Sequence, residues 1–419
     1  MRATFERTFR SFRSRNFRLY YLGLAVSNVG TWLQTVAQAW VVLELTGSGV
    51  ALGLLAAAQW GPMLLFGAWG GVIADRFDRR RVILETQSIS AVQALLLGAV
   101  VLSGWATVWV IYLFALLLGL VNAVDNPARR AFIPQLVERD EISNAMGLNT
   151  AVMTSTRIIG PAFAGLLIGT IGAGWCFVAN GLSFAAVIVA TLALDRSQLR
   201  PAPKVERARG QVREGMRYAW DDPVLRRTLL AAAVVATLAF NYATTLPLLT
   251  TETFAGDAGT FGALLAVASV GSLLGSLVAA SRPHATQAFM AGASMAFGVA
   301  MAAVGAAPAL VWAFAFAVPM GAGGSAFAST TSAVLQDRSR PRISGRLMAL
   351  YAVVFLGSTP IGGPIVGWVG EHVSPRASLY LGALSALGAG AALAVSARRA
   401  KFPRASTTRA LPSWETANG

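Results

Sequence analysis

Asn28, Thr31, Thr35 and Gln38 recur every three or four residues inside an apolar stretch, with Trp32 and Gln34 beside them. That spacing lays amides and hydroxyls along one face of a helix. Amides are costly against lipid, so this face must look into protein or into a polar cavity. A later stretch carries Asn241, Tyr242, Thr244 and Thr245, and Gln59, Asn122, Asn149 and Tyr351 are further polar groups in apolar surroundings. Such groups either meet a substrate or bond to neighbouring helices, and both readings stand at this stage. Arg157 lies in the middle of an apolar run. A guanidinium there marks either a site for an anionic or acceptor-rich cargo or a brace onto backbone carbonyls.

Other chemistries are poorly served. The single cysteine, Cys176, and the two histidines, His284 and His372, have no metal-ligand spacing. The only lysines, Lys204 and Lys401, each follow a residue other than glycine, so no phosphate loop is present to use ATP. No nucleophile–base pair suggests an enzyme. The carboxylates sit near the ends of apolar runs, Glu44 and Glu252 at one kind of end and Asp75, Glu85 and Asp125 at the other. Asp75 and Asp125 are the candidates for carrying a proton, against a plainer role in helix-end ion pairs. No cofactor is expected; a proton gradient is the expected energy source.

The chain that holds these residues is 55% hydrophobic and 13% charged, with a mean hydropathy of +0.59. Soluble domains carry about a quarter charged residues, so this composition belongs in lipid. Apolar runs long enough to cross a bilayer as helices fall at 17–43, 48–74, 82–103, 106–126, 143–170, 172–194, 227–251, 259–281, 285–305, 308–334, 345–370 and 376–397. They are too long and too rich in Ala and Leu for barrel strands. The net charge of +15 is unevenly placed: 32 of 34 Lys and Arg lie in the termini and alternate connections. That asymmetry puts both termini in the cytoplasm and accounts for the charge without nucleic acid.

Residues 195–226 form a basic interruption that divides the spans six and six, with Val212, Met216, Tyr218 and Trp220 interleaved with Arg213, Glu214 and Arg217 as in a surface helix. The expected units are residues 1–194, the linker 195–226, residues 227–397 and a tail 398–419. A shift of 210 residues aligns Leu54, Leu55, Ala56, Ala58, Gly61 and Leu64 with Leu264, Leu265, Ala266, Ala268, Gly271 and Leu274. A shift of 202 aligns Gly160 and Gly165 with Gly362 and Gly367. Parallel repeats of this kind place a substrate site at their interface.

Two motifs are specific. Gly71, Asp75, Arg76, Arg79 and Arg80, between the second and third spans, fit the loop pattern G-x-x-x-D-R-x-G-R-K/R, with Asp78 at the second glycine. The chain here resembles the major facilitator superfamily. The resemblance implies a gate in which Asp75 pairs across the halves with Arg346 or with the eleventh span's N-terminus. In the fifth span, Gly147, Gly160, Pro161 and Gly165 are similar to the superfamily's exporter motif, with Thr156 and Ala164 in place of two glycines. Asn16 to Arg18, Gly30 to Trp32, Asn126 to Pro134, Glu214 to Pro223 and Leu350 to Gly357 resemble bacterial exporters of the transmembrane secretion effector type, which includes enterobactin and macrolide exporters.

The expectation is therefore an all-α membrane protein, twelve transmembrane helices in two six-helix halves, in a bacterial inner membrane and monomeric. It would export an amphipathic small molecule such as a drug, antibiotic or siderophore-like compound by alternating access and proton antiport. Its partners would be that substrate and membrane lipid, not nucleic acid. A lysophospholipid flippase on the same scaffold, or a membrane sensor that transports nothing, are the alternatives. The expected substrate pathway comprises Asn28, Thr31, Trp32, Gln34, Thr35, Gln38, Gln59, Arg157, Asn241, Tyr242, Thr245 and Tyr351.

Overall fold

The computed structural model describes residues 10–200, 211–282, 284–339 and 341–401, and among them every regular element is helical. The first half contains α1 (Arg15–Thr46), α2 (Gly49–Arg76), α3 (Arg79–Leu102), α4 (Val108–Phe132), α5 (Ile142–Ile171) and α6 (Ala173–Leu192). A linker helix α7 (Gln211–Asp221) precedes α8 (Pro223–Ala239), α9 (Tyr242–Leu248), α10 (Ala258–Ala280) and α11 (Gln287–Ala306). The chain continues through α12 (Leu310–Arg338), α13 (Pro341–Leu356), α14 (Thr359–His372) and α15 (Pro375–Lys401). Short polar residues start these helices by accepting their first free N–H groups, as Ser48 does from Ala51 N at 3.1 Å and Asp222 from Val224 N at 2.7 Å. Asp78, the departure from the loop pattern, acts in the same way and caps α3 through Arg81 N at 3.1 Å.

Among the described residues, eleven segments are long and apolar enough to cross a membrane. The missing one is α1, although its 32 residues span about 48 Å at 1.5 Å per residue. Its stripe of amides and hydroxyls lowers its hydropathy. Asn16 ties its start to the end of α6, donating to Asp195 O at 2.9 Å and accepting from Asp195 N at 3.0 Å.

Two spans expected to be continuous are broken. The seventh divides into α8 and α9 at Phe240 and Asn241, then continues as a π-turn over Leu249–Thr253. Asn241 donates its side-chain amide to Thr237 O at 2.6 Å, competing with the backbone ladder there. The eleventh divides into α13 and α14 at Gly357 and Ser358, just before Pro360. The linker helix α7 lays Ala219 against Leu225, Leu229, Leu335 and Leu347 while Met216 and Trp220 stay exposed. Residues 201–210, the side chains of Val212, Arg213 and Glu214, and residues 402–419 lie outside the described part.

Within each half, helices approach backbone to backbone at matching places. Added Cβ atoms would strike the Gln59 carbonyl from Gly119 and the Ala268 carbonyl from Gly321. Between the halves, comparable glycine approaches lie at the end remote from the basic loops. There α2 crosses α14 with Gly49 on the Gly367 carbonyl and Gly53 on the Gly363 carbonyl. Likewise α5 crosses α10, where a Cβ on Gly262 would lie 2.5 Å from Pro161 O and one on Gly165 3.0 Å from Ala258 O. Asp257 caps α10 beside this contact, and the bonds it accepts from Thr260 N at 2.8 Å and Oγ1 at 2.7 Å hold its carboxyl below the usual carboxylate range. Over the α2–α14 crossing, Glu371 accepts from Ser48 Oγ at 2.5 Å and Val50 N at 2.9 Å.

Side chains introduced into this crossing will prise the halves apart. Overpacking costs about 1–3 kcal/mol, which shifts a closed-to-open ratio by roughly 5- to 150-fold. With a cysteine at Ala39, which is buried on α1 toward the crossed end, Gly53→Val should admit an impermeant maleimide from that end where the parent does not. The buried Cys176 adds little background. Equal labelling would mean that the glycine crossing is not the seal.

Candidate functional site

Between the halves lies a cavity of about 360 Å³, within the size range of small-molecule sites. Asn28, Thr31, Trp32 and Thr35 of α1, Gln59 of α2 and Arg157 of α5 line it from the first half; Asn241 and Tyr242 face it from the break between α8 and α9. Its aromatic lining adds Trp60, Phe240, Phe261 and Phe355. The break in the seventh span positions this wall, because it turns Phe240, Asn241 and Tyr242 together onto the cavity.

Arg157 is exposed, and the space to which it is exposed is the cavity. Its guanidinium lies over the Trp32 ring at 5.5 Å from the centroid, a cation–π contact. Among the described residues it has no carboxylate partner. Tyr242, from the other half, lines the same cavity, and its buried hydroxyl makes no hydrogen bond. The cavity therefore presents an uncompensated cation, amides and aromatic faces around one volume.

Four residues of the expected pathway lie elsewhere. Gln34 turns into the first half, where its Oε1 accepts from Asn180 at 2.6 Å and Gln93 at 3.4 Å. Gln38 is fully buried one turn further along the same face. Thr245 is buried and donates to Asn241 O at 3.2 Å. Tyr351 donates to Ala328 O at 3.2 Å. One helix thus sends its polar groups in different directions: Asn28, Thr31 and Thr35 toward the cavity, Gln34 toward α3 and α6. Asn122 lines the cavity and Asn149 does not. The signal for the buried network was readable, since Thr86, Gln87, Ser90 and Gln93 recur at helical spacing on α3.

Two arginines of the loop motif reach backbone carbonyls of the first half. Arg80 donates to Thr191 O at 3.0 Å and Leu192 O at 3.3 Å, closing the end of α6, and Arg79 donates to Ala131 O at 3.3 Å near the end of α4. Such contacts favour cations at helix C-termini. Gly71 is partly buried, Arg76 is exposed and Arg346 is partly buried on α13. The side chain of Asp75 lies outside the described residues. In the exporter motif, Gly160 packs on Trp32 and so fixes the ring beneath Arg157, whereas Pro161 and Gly165 form the α5–α10 crossing; a Cβ on Gly147 would meet open space.

Asp125 lines the basic end of the cavity and is almost wholly buried. It accepts from Thr86 Oγ1 at 2.6 Å and Gln87 Nε2 at 3.1 Å and pairs with Arg129 at 2.5 Å. Among the described residues no three His, Cys, Asp or Glu side chains converge.

The sequence and the fold have counterparts among known proteins. The model of the transmembrane secretion effector family, in the major facilitator superfamily, matches residues 6–416. The chain belongs to this family. Relatives of this secretion effector include the Staphyloferrin A transporter of Staphylococcus aureus (strain NCTC 8325 / PS 47), 26% identical over 260 residues, covering 60% of this chain and 63% of that protein. The multidrug efflux pump Tap of Mycolicibacterium fortuitum is 26% identical over 368 residues, covering 83% of this chain and 88% of that protein. The enterobactin exporter EntS of Shigella flexneri is 24% identical over 366 residues, covering 86% and 87%.

Solved structures agree on the fold. A bacterial homologue of the human lysosomal transporter Spinster, inward-facing and unoccupied, superposes with a TM-score of 0.67 at 19% identity, covering 92% of this chain and 96% of that one. A POT family transporter in complex with 5-aminolevulinic acid gives 0.76 at 9% identity, covering 93% and 97%. By its family and relatives, the chain is a multi-pass membrane transporter and not an enzyme.

The division of the polar residues predicts different consequences of removing them. Asn180→Leu takes away the 2.6 Å donor to buried Gln34 and should cost about 1–3 kcal/mol, seen as a lower unfolding midpoint in detergent. Asn28→Ala, on the cavity wall, should change that stability by less than about 0.5 kcal/mol. Equal losses from the two would place both residues in one structural network.

Proposed function

We propose that this secretion effector exports an amphipathic small molecule carrying an anionic or acceptor-rich group, by alternating access coupled to proton entry. The observation that carries the reading is Arg157, an uncompensated cation in the cavity between the halves, set on Trp32 and opposite Tyr242. The basic loops assign their end to the cytoplasm. On that assignment the glycine crossings close the external side, the cavity serves the cytoplasm, and this is the loading state. Counting α1 with the eleven apolar segments gives twelve crossings, which in this reading span a bacterial inner membrane with both termini on its cytoplasmic side and a single chain as the working unit.

Cargo entering from the cytoplasm would lay its apolar part on Trp32, Trp60, Phe240 and Phe355 and its acceptor group on Arg157. Low polarity around the guanidinium strengthens that bond. The broken seventh and eleventh spans supply places where helix halves can bend as the external crossings part. Asp125 is the proton carrier in this reading. Among the described residues it is the acidic group on the cavity wall, and protonation would free Arg129 from its pair and release Thr86 and Gln87. The gradient would then select between the two closed forms through this group.

Uptake into inverted membrane vesicles, over a panel of dyes, antibiotics and siderophore-like compounds, tests both parts. Arg157→Gln should reduce transport of anionic compounds by about tenfold or more, the loss of a charged hydrogen bond of about 1.5–3 kcal/mol, while neutral compounds change less. Uniform loss across the panel would make Arg157 a brace instead. Asp125→Asn should remove the response to an imposed proton gradient while leaving compound binding in place. A gradient response that survives this substitution would exclude Asp125 as the carrier.

A further inference from the structure

Glu371 has no part in the transport steps above, yet it joins the two halves. It lies at the end of α14, exposed at the external mouth, and its Oε2 accepts from Ser48 Oγ at 2.5 Å and Val50 N at 2.9 Å. Ser48 is the N-cap of α2. A carboxylate of the second half therefore occupies the positive end of a 28-residue helix of the first half, directly over the Gly49–Gly367 contact. An anion is favoured there by the helix dipole, and the bonds it accepts are charge-assisted. A neutral carboxylic acid loses the attraction to the dipole and part of its accepting capacity.

Among the described residues, the other charged groups at this mouth do not bridge the halves through the bonds they make. Arg376 donates to Ala307 O at 2.9 Å, Glu44 accepts from Trp40 Nε1 at 2.6 Å, and Asp257 is bonded to Thr260. Glu252 lies in the π-turn. His372, the neighbour of Glu371, stacks on Trp368 with ring centroids 4.9 Å apart; its cationic form would help to hold the Glu371 anion.

We propose that Glu371 is a proton-binding site on the external face, and that its protonation unlatches the α2–α14 crossing so that the protein opens outward. The inference rests on the proton-antiport reading and specifies where an external proton acts. One proton passes from external water to the Glu371 carboxylate; the bonds to Ser48 and Val50 open, and those donors turn to water. The closed form holds the anion in two bonds and the open form leaves it hydrated, so proton uptake favours the open form. Closure contributed by Glu371 is complete where it is ionised and is lost as the pH falls into the carboxylate range.

The test uses the full chain in lipid nanodiscs with spin labels on Trp105→Cys and Ala309→Cys, both exposed in connections at the external end. Pulsed electron resonance follows the distance between them from about pH 8 to about pH 4, a range that covers glutamate titration. In the parent, the long-distance population should grow as the pH falls. In Glu371→Gln it should be raised about tenfold at neutral pH, equivalent to about 1.4 kcal/mol, with a diminished further response to acid whose remainder belongs to Asp125. Glu371→Asp and His372→Gln should keep the response, which shows that the labelled protein remains folded and able to move.

A Glu371→Gln protein with parental distances at neutral pH, or with an undiminished response to acid, overturns the latch. Gradient-driven transport that persists in that case leaves antiport standing. If acid opens the parent but no gradient drives transport, antiport fails and the latch stands.

Discussion

Where α2 meets α14 and α5 meets α10, carbonyl oxygens of one half lie against glycines of the other, with no room for a side chain. In lipid there is no hydrophobic gain from burying apolar residues against each other, so close van der Waals approach is what holds helices together. Concentrating that approach at one end of the molecule shapes everything else. The halves are joined at the end remote from the basic loops, and the volume between them extends toward the basic end, where Asp125 and Arg129 line it. Gly160, one residue before Pro161, carries the same constraint into the cavity by seating Trp32, on which Arg157 rests. The residues of the α5–α10 crossing and those that line the cavity are therefore neighbours on one helix.

The two halves divide their chemistry unequally. Buried amides on α1, α3 and α6 bond to one another inside the first half, and Asp125 takes two of its three partners from α3. Buried hydroxyls of the second half mostly return to backbone carbonyls, as Thr250, Ser269, Thr330 and Thr331 do. The second half contributes shape: the break before Tyr242, the aromatic wall and the π-turn. A transporter with charge on one side of its cavity and adaptable surface on the other can hold one end of a molecule firmly and tolerate variation in the rest.

Much of this is legible in the order of the amino acids alone. Long apolar runs, alternating basic loops and the Gly71–Arg80 pattern follow from the bilayer itself, which leaves few ways to satisfy a backbone and records topology in charge. Arg157 is legible for the same reason, because a lone cation in an apolar run is too costly to be incidental. What the spacing hides is direction. Gln34 sits beside the stripe that begins at Asn28, yet Asn28 faces the cavity while Gln34 bonds into α6, and only the partners decide which. The breaks at Asn241 and Gly357 are hidden by apolar continuity. Glu371 is hidden because its meaning comes from Ser48, more than three hundred residues away. Arg79 and Arg80 carry a recognisable pattern, but their role in closing α4 and α6 is visible only in three dimensions.

The polarity of α1 has a consequence for how the protein is made. This helix emerges from the ribosome ahead of the others, and it is the one least suited to entering lipid alone. Its amide at Gln34 finds its 2.6 Å donor on Asn180, and its first turn is clasped by the backbone of Asp195, both at the far end of the first half. Until α6 has been synthesised, α1 carries groups that lipid cannot satisfy, and it must wait beside the insertion machinery or in contact with water. The six helices of the first half are thus bound into a single unit of insertion, completed by the last of them.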